Sequence, residues 1–246
     1  MTPQFVLDDV SLIKSNHNQT NTILKNINLT IYTNQITSLI GPSGAGKSSL
    51  LRLLNRLDDP SAGAIYYDGQ LLKDFDVLEL RRKVGMVFQI PVMFDTTVAE
   101  NIKYASRFGK NKKKTDKSVI ELLDMVGLDP GLAERDALQL SVGQQQRVAL
   151  ARTLYTEPEV LLLDELTAPL DPTTAQEILN LIRKLQTQLG LTIVIITHLL
   201  QQARDYSDFT VYLENGKLIE FNHTEALFSN PEHEAVLEFI QGRRAR

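Results

Sequence analysis

Gly41-Pro42-Ser43-Gly44-Ala45-Gly46-Lys47-Ser48 fits the spacing Gly-x4-Gly-Lys-Ser, the pattern of a loop that wraps phosphate. Glycines let the main chain come close enough for its N–H groups to point at phosphate oxygens, and a helix starting there adds the positive end of its dipole. Lys47 is placed to contact β- and γ-phosphates, Ser48 to contact Mg²⁺, and Ser49 continues the phosphate-binding segment. A second source of chemistry is Asp164-Glu165, two carboxylates at the end of the apolar run Leu161-Leu162-Leu163. Open α/β sheets bind ligands at the C-terminal edge of their strands. There Asp164 would hold Mg²⁺ through water and Glu165 would polarise an attacking water. Taken alone, paired acids after a strand also begin loops or cap helices, and a glycine turn can simply start a helix.

These groups need strands and helices in a particular order, and the sequence supplies it. Ile36 to Ile40 reads as a short strand running into the glycine loop, and the amphipathic stretch Ser48 to Leu57 comes at once after it. Val160 to Leu163 and Thr192 to Ile196 are continuous apolar runs of the kind buried in parallel sheets. Between them the spacing of Ile178, Ile182, Leu185 and Leu189 predicts a helix over Thr173 to Leu189 with one core-facing stripe. Phe5 to Leu12 and Ile23 to Tyr32 read as antiparallel strands around a polar turn. Phe209 to Phe221 reads as a hairpin turning at Glu214-Asn215-Gly216, with short helices at Thr224 to Phe228 and Glu232 to Gln241. Past the strand Val84 to Phe88, helical patterns dominate at Val98 to Ala105, Lys117 to Val126 and Gln144 to Leu154.

With 246 residues, 43% of them hydrophobic, the chain can bury a sizeable core. It has no cysteine, which excludes disulfides, thiolate metal sites and a cysteine nucleophile, and fits a reducing compartment. Met1 to Asp9 lacks the basic-then-apolar order of a secretory leader, and no apolar run approaches the roughly 20 residues of a membrane-spanning helix. A net charge of −4 argues against broad nucleic-acid binding. The run Lys110, Lys112, Lys113, Lys114 is the local exception and reads as a solvated loop.

Leu140-Ser141-Val142-Gly143-Gln144-Gln145-Gln146-Arg147 resembles the signature motif of ATP-binding cassette (ABC) transporter ATPases. The resemblance runs through nearly the whole chain. It implies a P-loop NTPase core with a mostly parallel sheet (residues 1–90 and 157–246), an antiparallel β edge subdomain, and an inserted α-helical subdomain (residues 91–156). It also implies ATP and Mg²⁺ as ligands and a dimer, expected to be a homodimer, that sandwiches ATP. In that family, the signature of one subunit closes over the γ-phosphate bound to the other, which assigns Ser141, Gly143 and Gln144 to the nucleotide. Gln89, after the strand Val84 to Phe88, resembles the glutamine that touches Mg²⁺ and water. His198 resembles the histidine that hydrogen-bonds the γ-phosphate. Leu170-Asp171 resembles the loop whose aspartate couples the two sites. A separate membrane permease would be the partner, and the chain would lie peripherally at the cytoplasmic face of the membrane.

Segments 197–203, 216–221 and 239–243 resemble the ATPases of phosphate importers. Val84 to Phe94 and Leu140 to Gln144 resemble the ATPases of export-type transporters linked to iron and aluminium tolerance. A soluble cassette acting in translation or DNA repair would instead bring tandem cassettes or long coiled coils, and the single P-loop and lack of sustained heptads speak against it. A small-molecule kinase would not explain the signature segment. The chain departs from the family in four places: Val142 replaces a glycine, Leu166 replaces the proline after the catalytic glutamate, Pro169 replaces the small residue before Leu170, and Ser11 to Lys14 lacks the aromatic residue that stacks on adenine. Such stacking is worth roughly 1–3 kcal/mol per base where it has been measured. ATP and GTP are therefore expected to bind comparably; a strong preference for ATP in direct titrations would refute weakened base recognition.

Overall fold

The structure, a computed structural model, describes residues 1–16, 19–107 and 117–243, so the lysines at 110, 112, 113 and 114 lie outside the described residues. The chain divides into two units, Met1–Phe75 with Thr192–Arg246, and Asp76–Leu191. The first unit opens with β1 (Pro3–Asn16), β2 (Gln19–Tyr32), β3 (Ile36–Ile40), α1 (Lys47–Leu54), β4 (Ala62–Tyr67) and β5 (Gln70–Leu71). The second holds α2 (Val77–Lys83), β6 (Val84–Val87), α3 (Val98–Lys103), α4 (Val119–Met125), α5 (Val142–Leu154), β7 (Val160–Asp164) and α6 (Pro172–Leu189). The chain then returns to the first unit with β8 (Thr192–Ile196), α7 (Leu200–Tyr206), β9 (Phe209–Glu214), β10 (Lys217–His223), α8 (Thr224–Ser229) and α9 (Glu234–Ile240).

In the first unit β3 lies between two parallel neighbours, β8 (Ile36 opposite Ile193) and β9 (Thr37 opposite Phe209). Every residue of β3 and β8 is buried, so neither strand alternates between apolar and solvated faces, and the hydroxyl side chains Thr37, Ser38 and Thr192 lie in the interior, Ser38 against the Thr210 hydroxyl at 2.9 Å. β10 returns antiparallel to β9 through Asn215 and Gly216, whose positive φ values of 50° and 73° are those of a two-residue hairpin turn. A separate antiparallel sheet has the order β2-β1-β4-β5, with β1 and β2 pairing as the sequence predicts but over 14 residues each. Pairing with β1 defines β4, and β4 in turn holds the two-residue β5.

Helix α1 stops at Leu54 instead of reaching Leu57, and its end explains why. Arg56 takes a left-handed φ of 54°, its N–H bonds to Leu53 O at 3.2 Å, and the Leu57 N–H bonds to Arg52 O at 2.9 Å. This double closure satisfies carbonyls that would otherwise be orphaned at the helix end.

In the second unit β6 and β7 pair in parallel, Val84 opposite Val160. Helix α6 is capped by Asp171 at its start and by left-handed Gly190 at its end; Ile178, Ile182 and Leu185 are buried as the stripe predicts, while Leu189, in the last turn, is half-buried. Helix α5 organises the segment after β6. Arg152 on α5 donates to Val92 O (2.9 Å), Asn101 O (3.0 Å) and Asn101 Oδ1 (2.7 Å), and its guanidinium lies 5.1 Å from the centroid of the Phe94 ring. Burial lowers the Arg152 pKa from its ordinary value, but guanidinium starts so high that the charge remains. Asn101, 0% exposed, answers that charge and ties the Phe94 main chain at both its N–H (2.9 Å) and its C=O (3.0 Å).

Asn101→Ala would leave the Phe94 N–H and part of the Arg152 guanidinium without partners. A loss of about 2–4 kcal/mol is expected, measured as a lowered urea midpoint with unchanged slope; a shift below about 0.5 kcal/mol, the range of ordinary surface substitutions, would contradict this account.

Candidate active site

The glycine loop is built by close approach. Gly41 comes directly after buried β3 with φ 144°, and a Cβ there would sit 2.0 Å from the Leu213 carbonyl oxygen of β9. Gly46 has φ 100°, and a Cβ there would meet Leu24 Cδ2 at 2.7 Å. Both positions exclude side chains on two grounds, space and backbone conformation. The loop is tied from below, because Ala45 is buried and its carbonyl accepts from the Gly216 N–H at 3.2 Å in the β9–β10 turn.

Gly46 is the N-cap of α1 and makes no side-chain cap hydrogen bond, and a helix start of this kind, at the positive end of the dipole, suits an anion. Lys47 is 5% exposed and its ammonium donates to the carbonyls of Gly41 (2.8 Å) and Pro42 (2.9 Å), which holds the cation inside the curve of its own loop. Ser43 and Gly44 are exposed at the rim, and Pro42, Ser48 and Ser49 are half-buried.

His198 is exposed just past β8. Its neighbour Thr197, 5% exposed, accepts from the Leu199 N–H (3.1 Å) and donates to Gln202 Oε1 (2.7 Å), so the residues on either side of the histidine are fixed. At Ser11 to Lys14 the outward side chain is aliphatic: Ile13 is 44% exposed, and Lys14 pairs with Asp58 at 2.9 Å.

In the second unit β7 carries Asp164 and Glu165 to its C-terminal end, with Val160 to Leu163 fully buried behind them. Gln89 donates through Nε2 to Glu165 Oε2 at 3.1 Å, so the structure joins two residues that the sequence leaves 76 positions apart. Glu165 has φ 49°, an uncommon left-handed conformation for a residue with a side chain and one that clusters at functional sites. Leu166 is 1% exposed, so the residue standing in place of proline is a core anchor for the turn, which closes through Ala168 N–H to Glu165 O at 3.0 Å.

Asp171 accepts from the N–H groups of Thr173 and Thr174, both at 3.1 Å, and hydrogen bonding from Thr174 holds its carboxyl below the usual pKa. Ser141 and Gln144 form a reciprocal cap at the start of α5: the Ser141 hydroxyl accepts from Gln144 N–H (3.3 Å), and Gln144 Oε1 accepts from Ser141 N–H (3.0 Å). The serine's own O–H remains available to donate. Gly143 packs where a Cβ would lie 3.0 Å from Thr174 Cγ2, while Val142 points outward, 47% exposed.

One side chain escapes sequence reasoning. Gln146 is 1% exposed and donates through Nε2 to the Gln89 carbonyl at 2.7 Å. The available signal is its place on the helix: Gln146 shares the i, i+4, i+8 face of α5 with buried Leu150 and Leu154.

Chemically, the first unit presents a loop and helix start suited to phosphate, and the second a carboxylate held by an amide. Among the described residues no cluster of three or more His, Cys, Asp or Glu side chains forms a protein-only metal cage. Ser48, Asp164 and Gln89 are oxygen donors of the kind Mg²⁺ accepts alongside substrate phosphates.

Residues 24–168 match the protein family described as ABC transporter. The chain is 46% identical over 219 residues to Protein STAR1 of Oryza sativa subsp. japonica, covering 89% of this chain and 63% of that protein, so it spans less than two thirds of that relative. It is 43% identical over 232 residues to the phosphate import ATP-binding protein PstB of Borreliella burgdorferi, covering 89% of this chain and 88% of the relative. In three dimensions it resembles the ATP-binding cassette MJ0796 in a dimeric post-hydrolysis state bound to ADP and Pi. The TM-score there is 0.79 at 33% identity, over 89% of this chain and 98% of the other.

Gly41→Ala is expected to weaken nucleotide binding at least about tenfold, 1.4 kcal/mol, because the loop must leave the Leu213 carbonyl. At Gly44 a Cβ would meet nothing within 4 Å. Gly44→Ala should therefore cost only the left-handed backbone penalty of about 1 kcal/mol. Titration with a fluorescent nucleotide separates the two, and equal effects would refute the close-approach explanation.

Proposed function

This chain belongs to the ABC transporter family as one of its ATPase cassettes, and from that premise we propose that it works as a dimer in which ATP binding and hydrolysis drive a separate membrane-spanning partner. The observation that carries the proposal is the Gln89–Glu165 hydrogen bond at the end of β7, which aims a carboxylate that can take a hydrogen bond from water. Lys47 and the uncapped start of α1 bind the β- and γ-phosphates, and His198 hydrogen-bonds the γ-phosphate. Glu165 accepts from the attacking water, whose oxygen bonds to the γ-phosphorus as the bond to the bridging oxygen breaks, leaving ADP and phosphate. Mg²⁺, held by Ser48, Asp164 and Gln89, would neutralise phosphate charge. Ser141 of a second copy donates its free O–H to the γ-phosphate, with Gly143 allowing close approach. Loss of the cleaved phosphate removes these contacts, and opening of the dimer moves the membrane partner.

No helix among the described residues is long and apolar enough to cross a membrane. Attachment to the cytoplasmic face through a permease is the corresponding proposal. Phosphate import is the first reading of the cargo, supported by the similarity to PstB over 88% of its length and by the resemblance of segments 197–203, 216–221 and 239–243. An export-type metal transporter is the second reading, favoured by Val84 to Phe94. Uptake of radiolabelled phosphate by cells with and without this chain decides between them.

Glu165→Gln should lower hydrolysis by about 10²–10⁴-fold, the usual worth of general-base catalysis, while an ATP-bound dimer accumulates on size exclusion. Lys47→Ala should lose nucleotide affinity itself. A Glu165→Gln protein that stays monomeric with ATP and Mg²⁺ would overturn the scheme.

A further inference from the structure

Helix α5 does more than present Ser141. Gln146, a turn and a half further on, donates to the Gln89 carbonyl at 2.7 Å, and the Gln89 side chain donates in turn to Glu165 at 3.1 Å. Arg152 on the same helix holds Val92 O at 2.9 Å, so α5 grips the strand-exit segment at two points. The grip at Gln89 is made by an amide on a face otherwise occupied by Leu150 and Leu154, at 1% exposure. Its second polar atom, Gln146 Oε1, is buried with no hydrogen-bond partner among the described residues. An unbonded buried amide oxygen opposes stability, and an aliphatic side chain of similar length would avoid that penalty. The amide is thus explained by what its N–H holds and not by packing.

We propose that Gln146 is a positioning residue: it fixes the Gln89 main chain so that the Gln89 side chain meets Glu165, and it ties the aim of that carboxylate to the helix that begins at Ser141. The inference rests on the dimeric reading above, in which Ser141 serves the nucleotide of the other copy while Glu165 serves this copy's own. Two hydrogen bonds and one helix then connect the two nucleotides of the dimer. A shift of α5 as Ser141 engages phosphate moves the Gln89 carbonyl's donor directly, so engagement at one site adjusts hydrolysis at the other.

The test is a mutant cycle in the full-length protein. Gln146→Met keeps length and removes the donor. We expect it to lower kcat about five- to thirtyfold, with ATP affinity unchanged within twofold and the Hill coefficient for ATP falling toward one. In a Gln89→Ala background, where no side chain remains to aim, the same substitution should cost less than twofold further. A merely structural role would act equally in both backgrounds, and that equality, or a parallel loss of ATP affinity, would overturn the proposal. Should Gln146→Met fail to fold, Gln146→Asn keeps the amide but is too short to reach the Gln89 carbonyl, and the same two-background comparison applies to it. Wild-type protein that hydrolyses ATP while the cycle is additive sinks this inference alone; wild-type protein without ATPase activity removes the proposed function and this inference with it.

Discussion

The glycine loop of the first unit depends on the close approach of the Gly41 main chain to the Leu213 carbonyl oxygen. β3 is flanked on both sides and wholly buried, so the chain leaving it can only turn at the strand's end. Because a Cβ at Gly41 would lie 2.0 Å from that oxygen, the turn can be made only by a residue without one. Gly46 repeats the condition against Leu24 at the start of α1. Strand, loop and helix start are therefore held close against β9 and β2, and with them the N–H groups proposed to face phosphate.

The second unit reaches precision by a different route, through polar side chains inside an apolar helix packing. Asn101 and Arg152 bond to each other and to the main chain of residues 92 to 94, so a half-buried cation keeps amide and carbonyl oxygens as acceptors. The capping box at Ser141 and the doubly accepting Asp171 give two helices fixed starting points. Ser141 and Asp171 each perform a local structural task as well as the role proposed for them. A substitution at either would disturb a helix start together with any contact made across a dimer.

Most of what could be read from the sequence is local. The apolar runs of β7 and β8 announce themselves because burial on both faces removes alternation, β3 is marked by the glycine loop that follows it although Thr37 and Ser38 interrupt its apolar residues, and the Asn215-Gly216 turn is encoded by two residues tolerant of positive φ. β4, β5, α2 and α7 were not legible: β4 is defined by pairing with β1 some fifty residues earlier, β5 is two residues long, and α2 and α7 are seven-residue helices too short for a clear period. At the site, the glycine loop and the two carboxylates were legible from residue type and spacing, and Gln89, Ser141 and His198 from resemblance. Gln146 was not, because a glutamine among glutamines carries no sign of which one faces inward until the helix phase is fixed by Leu150 and Leu154. The effect of Leu166 was also hidden, since only its burial shows that the turn is anchored by packing where a proline ring would stiffen it.

Lys47 belongs to a loop that supplies provisional partners for its own cation. Its ammonium rests on the carbonyls of Gly41 and Pro42, so a triphosphate arriving as proposed would meet a side chain already in place and not a mobile, hydrated one. Little rotamer entropy would then be left to lose on binding. A loop of this kind would discriminate by charge density, since an anionic oxygen is a stronger acceptor than a carbonyl.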